Sequence, residues 1–234
     1  MFHTAGSIRE TIDERLRCLD PFAIDLHQIH FLTVDMNRVR IHASLSPLEA
    51  QMNAMADLLE AGKTRSIGVS NFSAKAMRKA HATLARRGIP LASNQVKYNL
   101  LDRNIETNGV LDAAKELGIT IICYSPLEMG LLSGKFHKDT NLLRSRPRGR
   151  RNALGKKIET SRPLINILDE IATNKSVTVS QVALNWLINS HGDTVVAIPG
   201  ASKPSHAQES AGAMRFTLTA DEMERIDHAS RKCR

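Results

Sequence analysis

Aromatic residues make up only 4 % of the 234-residue chain. That argues against a stacking platform for single-stranded nucleic acid. The three cysteines, Cys18, Cys123 and Cys233, lie far apart. Their spacing fits neither a disulfide framework nor a set of zinc ligands, so no metal is expected and a reducing, cytoplasmic compartment is. No apolar run reaches membrane-spanning length, so no membrane partner is expected. The opening Met1-Phe2-His3-Thr4-Ala5-Gly6 has none of the basic and apolar character of a signal segment. Low-complexity stretches are absent, and no Gly-x-Gly-x-x-Gly turn follows the first strand. Positive charge is plentiful: 32 Lys and Arg against 24 Asp and Glu, a net +8. This favours phosphate-bearing partners without naming one. The length suits one α/β domain with a large core.

Arg65-Ser66-Ile67-Gly68-Val69-Ser70-Asn71-Phe72 organises the chain. It is a short apolar strand ending in two small polar residues, with a helix start at Ser73. Polar residues at the C-terminal end of a barrel strand mark a site, although a plain turn begun by Asn71 would read the same way. Related endings recur. Ile24–His30 reads as a strand with Ile24, Leu26, Gln28 and His30 on one face. Leu91–Tyr98 is a strand with polar residues throughout, and polar interior positions need partners. Ile119–Tyr124 is the most apolar strand and runs into Ser125-Pro126. Thr194–Ile198 is the last, followed by Pro199-Gly200-Ala201-Ser202.

Helices fall between the strands. Ser7–Glu10 fits a capping box before a helix that stops near Asp20-Pro21. Residues 33–45 read as a loop. Ser46 as N-cap with Pro47 at the first helical position opens a helix that Gly62 ends. The helix after Ser73 buries Met77, Ala80 and Leu84, and another runs from about Glu106 to Leu117. Residues 126–160 read as a long irregular segment with a basic cluster: Arg144, Arg146, Arg148, Arg150, Arg151, Lys156 and Lys157. Helical periodicity resumes at Ser161, a capping box at Thr178 opens the helix of Trp186, a short helix starts near Pro204, and Thr219 caps a terminal helix. Strands near 24, 66, 93, 119 and 194 alternating with helices predict parallel β with helical crossovers. Without the dinucleotide fingerprint, a barrel is favoured over a doubly wound sheet.

Five segments in order carry a family likeness: Asp25–His30, Gly62–Phe72, Asn94–Asn99, Tyr124–Leu127 through Gly134-Lys135, and Ile198–Ala201. Together they resemble the aldo-keto reductases, TIM (β/α)8 barrels that reduce carbonyls with NADPH. The resemblance implies that Ser70, Asn71 and Gln95 bond the nicotinamide carboxamide of NADP(H) and that Tyr124 stacks under its ring. It places Ser125, Leu127 and Gly130 along the pyrophosphate, with 126–160 as a cofactor-side loop. Residues after Pro199 (Gly200, Ser202 and Lys203) meet the adenosine 2′-phosphate near a helix N-terminus. The family's Arg and Asn further on are replaced by His206 and Ser210. His30 matches the histidine that bonds the substrate carbonyl.

The resemblance also implies a tyrosine acid tuned by a lysine and an aspartate. The two tyrosines, Tyr98 and Tyr124, align elsewhere. The expectation is therefore a single domain over 1–234 that begins after the third barrel strand. It would be an incomplete barrel of about strands 4 to 8, with negligible carbonyl reduction alone and self-association through open edges near 24–30 and 194–198. A non-catalytic NADP-binding regulatory subunit is the alternative. Nucleic-acid binding through Arg144–Lys157 is not expected, because no recognition motif accompanies the cluster.

Overall fold

The computed structural model describes residues 4–30, 47–145 and 147–233. Its strands are β1 (Leu26–Ile29), β2 (Ser66–Ser70), β3 (Leu91–Lys97), β4 (Thr120–Tyr124) and β5 (Val195–Ala197). They form one sheet in the order β1-β2-β3-β4-β5, and β1–β2 and β2–β3 pair in parallel. The helices are α1 (Ala5–Glu10), α2 (Ile12–Leu19), α3 (Leu48–Glu60), α4 (Ala74–Ala85), α5 (Val110–Leu117), α6 (Lys135–Lys138), α7 (Arg148–Lys175), α8 (Val179–Asn189), α9 (Pro204–Gly212) and α10 (Ala220–Arg231). No helix among the described residues is long and apolar enough to cross a membrane. The contacts group into two compact units, Met1–Val96 with Ile105–Ile122, and Lys97–Asn104 with Cys123–Arg234.

In the first unit the register sets Gln28 beside Gly68 and Gly68 beside Ser93. Gly68 is needed there. A Cβ would collide with Ser93 Oγ and come within 2.9 Å of Gln28 Cγ. The missing side chain lets Gln28 Nε2 reach across β2 to donate to Ser93 Oγ at 2.9 Å. Gln95 Nε2 donates in turn to Gln28 Oε1 at 3.0 Å. Ser93 and Gln95 of β3 thus share one partner, Gln28 of β1. Asn94, with no exposed surface, bonds main chain instead. Its Oδ1 accepts from Phe72 N–H at 3.3 Å, and its Nδ2 donates to Phe72 O at 3.0 Å. Helix α4 then starts where Ser73 Oγ accepts from Ala76 N–H. It buries Met77, Ala80 and Leu84 completely.

In the second unit Leu131, Phe136, Leu143, Leu154 and Ile158 make one apolar cluster. Helix α8 begins at the Thr178–Gln181 capping box and α10 at the Thr219–Glu222 box. Arg103 joins α10 to the buried Trp186. Its guanidinium lies 4.7 Å from the indole centroid and donates to Asp227 Oδ1 at 2.6 Å.

Several expectations are corrected. The first helix starts at Thr4, whose side chain makes a capping box with Ser7, and it breaks at Thr11. Pro47 is the N-cap of α3 rather than its first helical residue, and Ser46 lies outside the described residues, as does the 33–45 loop. Helix α5 starts after Gly109, whose left-handed backbone (φ 80°) stops it from reaching back to Glu106. On β1 the buried side chain is Ile29, while Leu26 and Gln28, on the opposite face, are half-buried. The segment 126–160 is not one irregular loop. It holds a 3-10 turn over Glu128–Ser133, then α6, a second 3-10 turn over Thr140–Ser145, and α7 from Arg148 onward. Helix α7 carries Pro163 in its interior. Gly149, Gly155 and Pro163 disguise it, although the buried Leu154, Ile158, Ser161 and Ile165 keep helical spacing.

Replacing Asn94 with Ala leaves the Phe72 amide and carbonyl buried without partners. We expect a loss of about 2–3 kcal/mol in urea unfolding with an unchanged m-value. A loss under about 0.5 kcal/mol would mean that water replaces the side chain.

Candidate functional site

In the first unit the ends of β2 and β3 form a connected polar edge. Ser70 Oγ donates to Gln95 O at 2.8 Å. Asn71 Nδ2 donates to Ser70 Oγ at 3.0 Å, and Asn71 N–H donates to Gln95 O at 2.8 Å. Asn71 has φ 58°, a left-handed conformation that asparagine tolerates better than most residues. Ser70, Asn71 and Gln95, expected together, are together. Ser70 is 2 % exposed, while Asn71 and Gln95 are half-buried. His30 lies one residue past β1 and is exposed.

In the second unit a cavity of about 790 Å³ is lined by Ser125, Leu127, Gly130, Gly200 and Ser202, all expected site residues. Tyr124 is half-buried at the end of β4, and Lys203 is the exposed N-cap of α9. Neither lines this cavity. Lys135 and His206 do line it. Lys135 makes no ion pair among the described residues and lies 5.2 Å from the Phe136 ring centroid. His206 Nδ1 is 3.4 Å from Ser202 Oγ. The one carboxylate in the lining, Glu209, accepts from Thr178 Oγ1 at 2.8 Å. Hydroxyls, an ammonium, an imidazole and the N-terminal end of α9 therefore meet in one cavity, a donor set suited to phosphate oxygens. From the basic cluster, Arg144, Arg151 and Lys156 face a separate cavity of about 500 Å³, and Arg146 lies outside the described residues. Among the described residues no group of His, Cys, Asp and Glu could hold a metal.

Sequence reasoning missed Glu128, which is 2 % exposed yet charged. Its carboxylate meets Lys97 Nζ at 2.9 Å and Lys157 Nζ at 2.6 Å. Burial raises its pKa, but the hydrogen bonds from Lys157 and Lys97 outweigh burial and hold it below the ordinary carboxylate value. The available signal was a lone acid inside the apolar run from Pro126 to Leu132. Cys123, also buried, has its thiol pushed up to about 12 by desolvation and is inert as a nucleophile.

Comparison with known proteins adds to this geometry. The profile of the Aldo/keto reductase family matches residues 2–231. The chloroplastic pyridoxal reductase of Arabidopsis thaliana is 34 % identical over 92 % of this chain and 56 % of its own. An NADP(+) aldo-keto reductase of Schizosaccharomyces pombe, yakc, is 31 % identical over 95 % of this chain and 62 % of its own. The chain thus spans about three-fifths of the length of these relatives. Among solved structures, the thermostable aldo-keto reductase Tm1743 in complex with the inhibitor epalrestat superposes with TM-score 0.72. It is 30 % identical, covering 97 % of this chain and 67 % of that one.

The pH dependence of stability follows from the shifted groups. His137 is held below its ordinary 6.5, first by burial and then by Arg162. Asp227 is held below its ordinary 3.8: burial raises it, but Arg231 and Arg103 outweigh that. His137, Asp227 and Glu128 all bind protons more readily when unfolded, so acid destabilises the fold. The melting temperature is expected to be level between about pH 6.5 and 8, to fall gently below 6.5 and steeply below about 4.5, and to fall again above about 9, where the unfolded Cys123 thiol ionises first. A melting temperature that held or rose from pH 6 to 3.5 would contradict these assignments.

Proposed function

The chain belongs to the aldo/keto reductase family, and on that footing we propose that it is an NADP(H)-binding oxidoreductase chain serving carbonyl reduction. One observation carries the reading. Ser125, Leu127 and Gly130, at the end of β4, share a single cavity with Gly200 and Ser202, at the end of β5. The fit rests on the chemistry of that lining. Ser125 and Ser202 offer hydroxyls, Lys135 a cation that makes no ion pair among the described residues, and α9 the positive end of its dipole. In this reading Lys203 sits at the edge of the phosphate end, and Tyr124 offers its ring as the flat wall of the nicotinamide end.

Ser70, Asn71 and Gln95 then serve the carboxamide. The bonds between Ser70 and Asn71, and that from Gln95 Nε2 to Gln28 Oε1, fix their orientation before anything binds, so less order has to be imposed on binding. Bound NADPH supplies hydride to an aldehyde or ketone. His30, exposed just beyond β1, is assigned to orient the substrate carbonyl by hydrogen bonding. A proton must also reach the alkoxide. Tyr98 is not placed to give it, being fully buried with its hydroxyl 2.7 Å from His191 Nε2. We therefore assign this chain nucleotide binding and carbonyl orientation, and give Tyr98 no part in the proton step. Pyridoxal, an aldehyde and the namesake substrate of the Arabidopsis thaliana relative, is the first carbonyl to assay.

Titration with NADPH, followed by nucleotide fluorescence and melting temperature, tests the reading. Saturable binding is expected. At 100 times Kd it adds about 2.7 kcal/mol of stability. Replacing Lys135 with Met is expected to raise Kd about tenfold, the loss of one charge-assisted bond to phosphate. Absence of saturable NADPH binding by folded chain would sink the proposal.

A further inference from the structure

The turn from Ser125 to Gly130 holds a backbone that its own residue types oppose. Ser125, Glu128 and Met129 have φ of 53°, 45° and 54°, and none of them is glycine. Left-handed backbone at such residues persists only where the surroundings impose it. Here the imposing contacts converge on one carboxylate. Glu128 Oε1 accepts from Lys157 Nζ at 2.6 Å and from Lys97 Nζ at 3.2 Å. Its Oε2 accepts from Asn99 Nδ2 at 3.0 Å and lies 2.9 Å from Lys97 Nζ. Asn99 Nδ2 also donates to Ser125 O at 2.9 Å, and Glu128 N–H donates to that same oxygen at 2.9 Å. The two ends of the turn are thus fastened to one another and, through Asn99, to one side chain.

The anchors belong to different elements. Lys97 ends β3 and pairs as well with Asp102 at 3.3 Å. Lys157 reaches in from α7, with its side chain 41 % exposed. Glu128 itself does not line the 790 Å³ cavity, whereas its neighbours Leu127, Met129 and Gly130 do. The carboxylate faces away from the cavity while its backbone shapes the wall.

We propose that Glu128 is a positioning residue: through Lys157 of α7 and Lys97 of β3 it holds the 125–130 turn in the strained form that makes one wall of the cavity. The proposal deepens the NADP(H) reading and rests on it for its consequence, weaker nucleotide binding when the clamp is cut. It needs no contact between Glu128 and the nucleotide. It also gives α7 a task beyond packing, since one part-exposed lysine on that helix governs a wall that the helix does not form.

The test compares wild type, Glu128→Gln, Lys157→Met, the double variant and Lys157→Arg, by two readouts. Hydrogen exchange of amides 127–134 in the nucleotide-free chain reads the clamp itself. NADPH titration reads its consequence. Both single variants are expected to exchange these amides about tenfold faster, with β2 amides unchanged, and to bind NADPH about five- to tenfold more weakly. The double variant is expected to be no worse than Glu128→Gln, because both changes cut one linkage. Lys157→Arg keeps the cation and is expected to behave as wild type. Exchange unchanged in Lys157→Met, or losses that add in the double variant, would overturn the proposal. Should Glu128→Gln fail to fold, Lys157→Met decides alone, because its changed side chain is part-exposed. Should wild type take up no NADPH, the nucleotide reading falls, and exchange still decides whether the clamp exists.

Discussion

Two asparagines out of contact with water set the conformation of the turns that form the site. Asn94 and Asn99 are each 0 % exposed. A buried amide left without partners costs about 1–3 kcal/mol by protein mutational data, so each has to find a complete set. Asn94 takes both polar groups of Phe72 and touches the Met77 sulfur. Asn99 Oδ1 accepts from the amides of Leu101 and Asp102, and its Nδ2 donates to Ser125 O and Glu128 Oε2. The requirement acts in both directions. The asparagine is satisfied only if the neighbouring main chain turns as it does, and that main chain is satisfied only by the asparagine.

Both braces belong to the stretch Asn94-Gln95-Val96-Lys97-Tyr98-Asn99, in and just after β3. In the first unit Asn94 grips the residue after Asn71, whose φ is 58°. In the second, Asn99 grips Ser125, whose φ is 53°. Each grip falls where a strand ends and the chain must turn sharply while leaving polar groups facing outward. A left-handed non-glycine residue costs on the order of 1–2 kcal/mol. A pair of buried, fully made hydrogen bonds offsets a cost of that size. The strain at the strand ends is thus met locally, and the residues that carry it include those assigned to the nucleotide.

Legibility in the sequence followed the range of the interactions. Strand positions, the Thr178 and Thr219 capping boxes and the Pro204 helix start depend on residues within four positions of one another, and they were readable. The grouping of Ser70, Asn71 and Gln95 came from the family likeness, because a plain turn begun by Asn71 would have read the same way. What failed needed information from farther away. Glycines at 149 and 155 and Pro163 weaken helix propensity locally, yet tertiary packing of Leu154 and Ile158 against Phe136 and Leu143 keeps α7 helical from Arg148. Gly68 was visible as a glycine, but its reason, the passage of Gln28 across β2 to Ser93, depends on strand register. Glu128 was the hardest to read, because its partners at 97, 99 and 157 lie about 30 residues away on either side and no local pattern joins them.

The charge balance at Glu128 explains why an acid occupies a site where an uncharged side chain of the same shape would not serve. Desolvation is the largest influence on its carboxyl and pushes its pKa upward, yet the net shift is downward. The two lysines therefore outweigh burial, and the group stays ionised at neutral pH. Lys97 shows the reciprocal effect. Its own burial pushes its pKa down, but Glu128 and Asp102 reverse that and hold it above the ordinary lysine value. Neutralising one member weakens the set without emptying it, since Glu128 keeps Lys97 when Lys157 is lost and Lys97 keeps Asp102 when Glu128 is lost, so the cost stays below the roughly 3–5 kcal/mol of a buried pair broken outright. An ionic clamp of this kind is more sensitive to geometry than an apolar contact of equal area. A shift of the turn by one rotamer breaks the bonds outright instead of weakening them gradually, and that sensitivity suits a wall that must keep one shape.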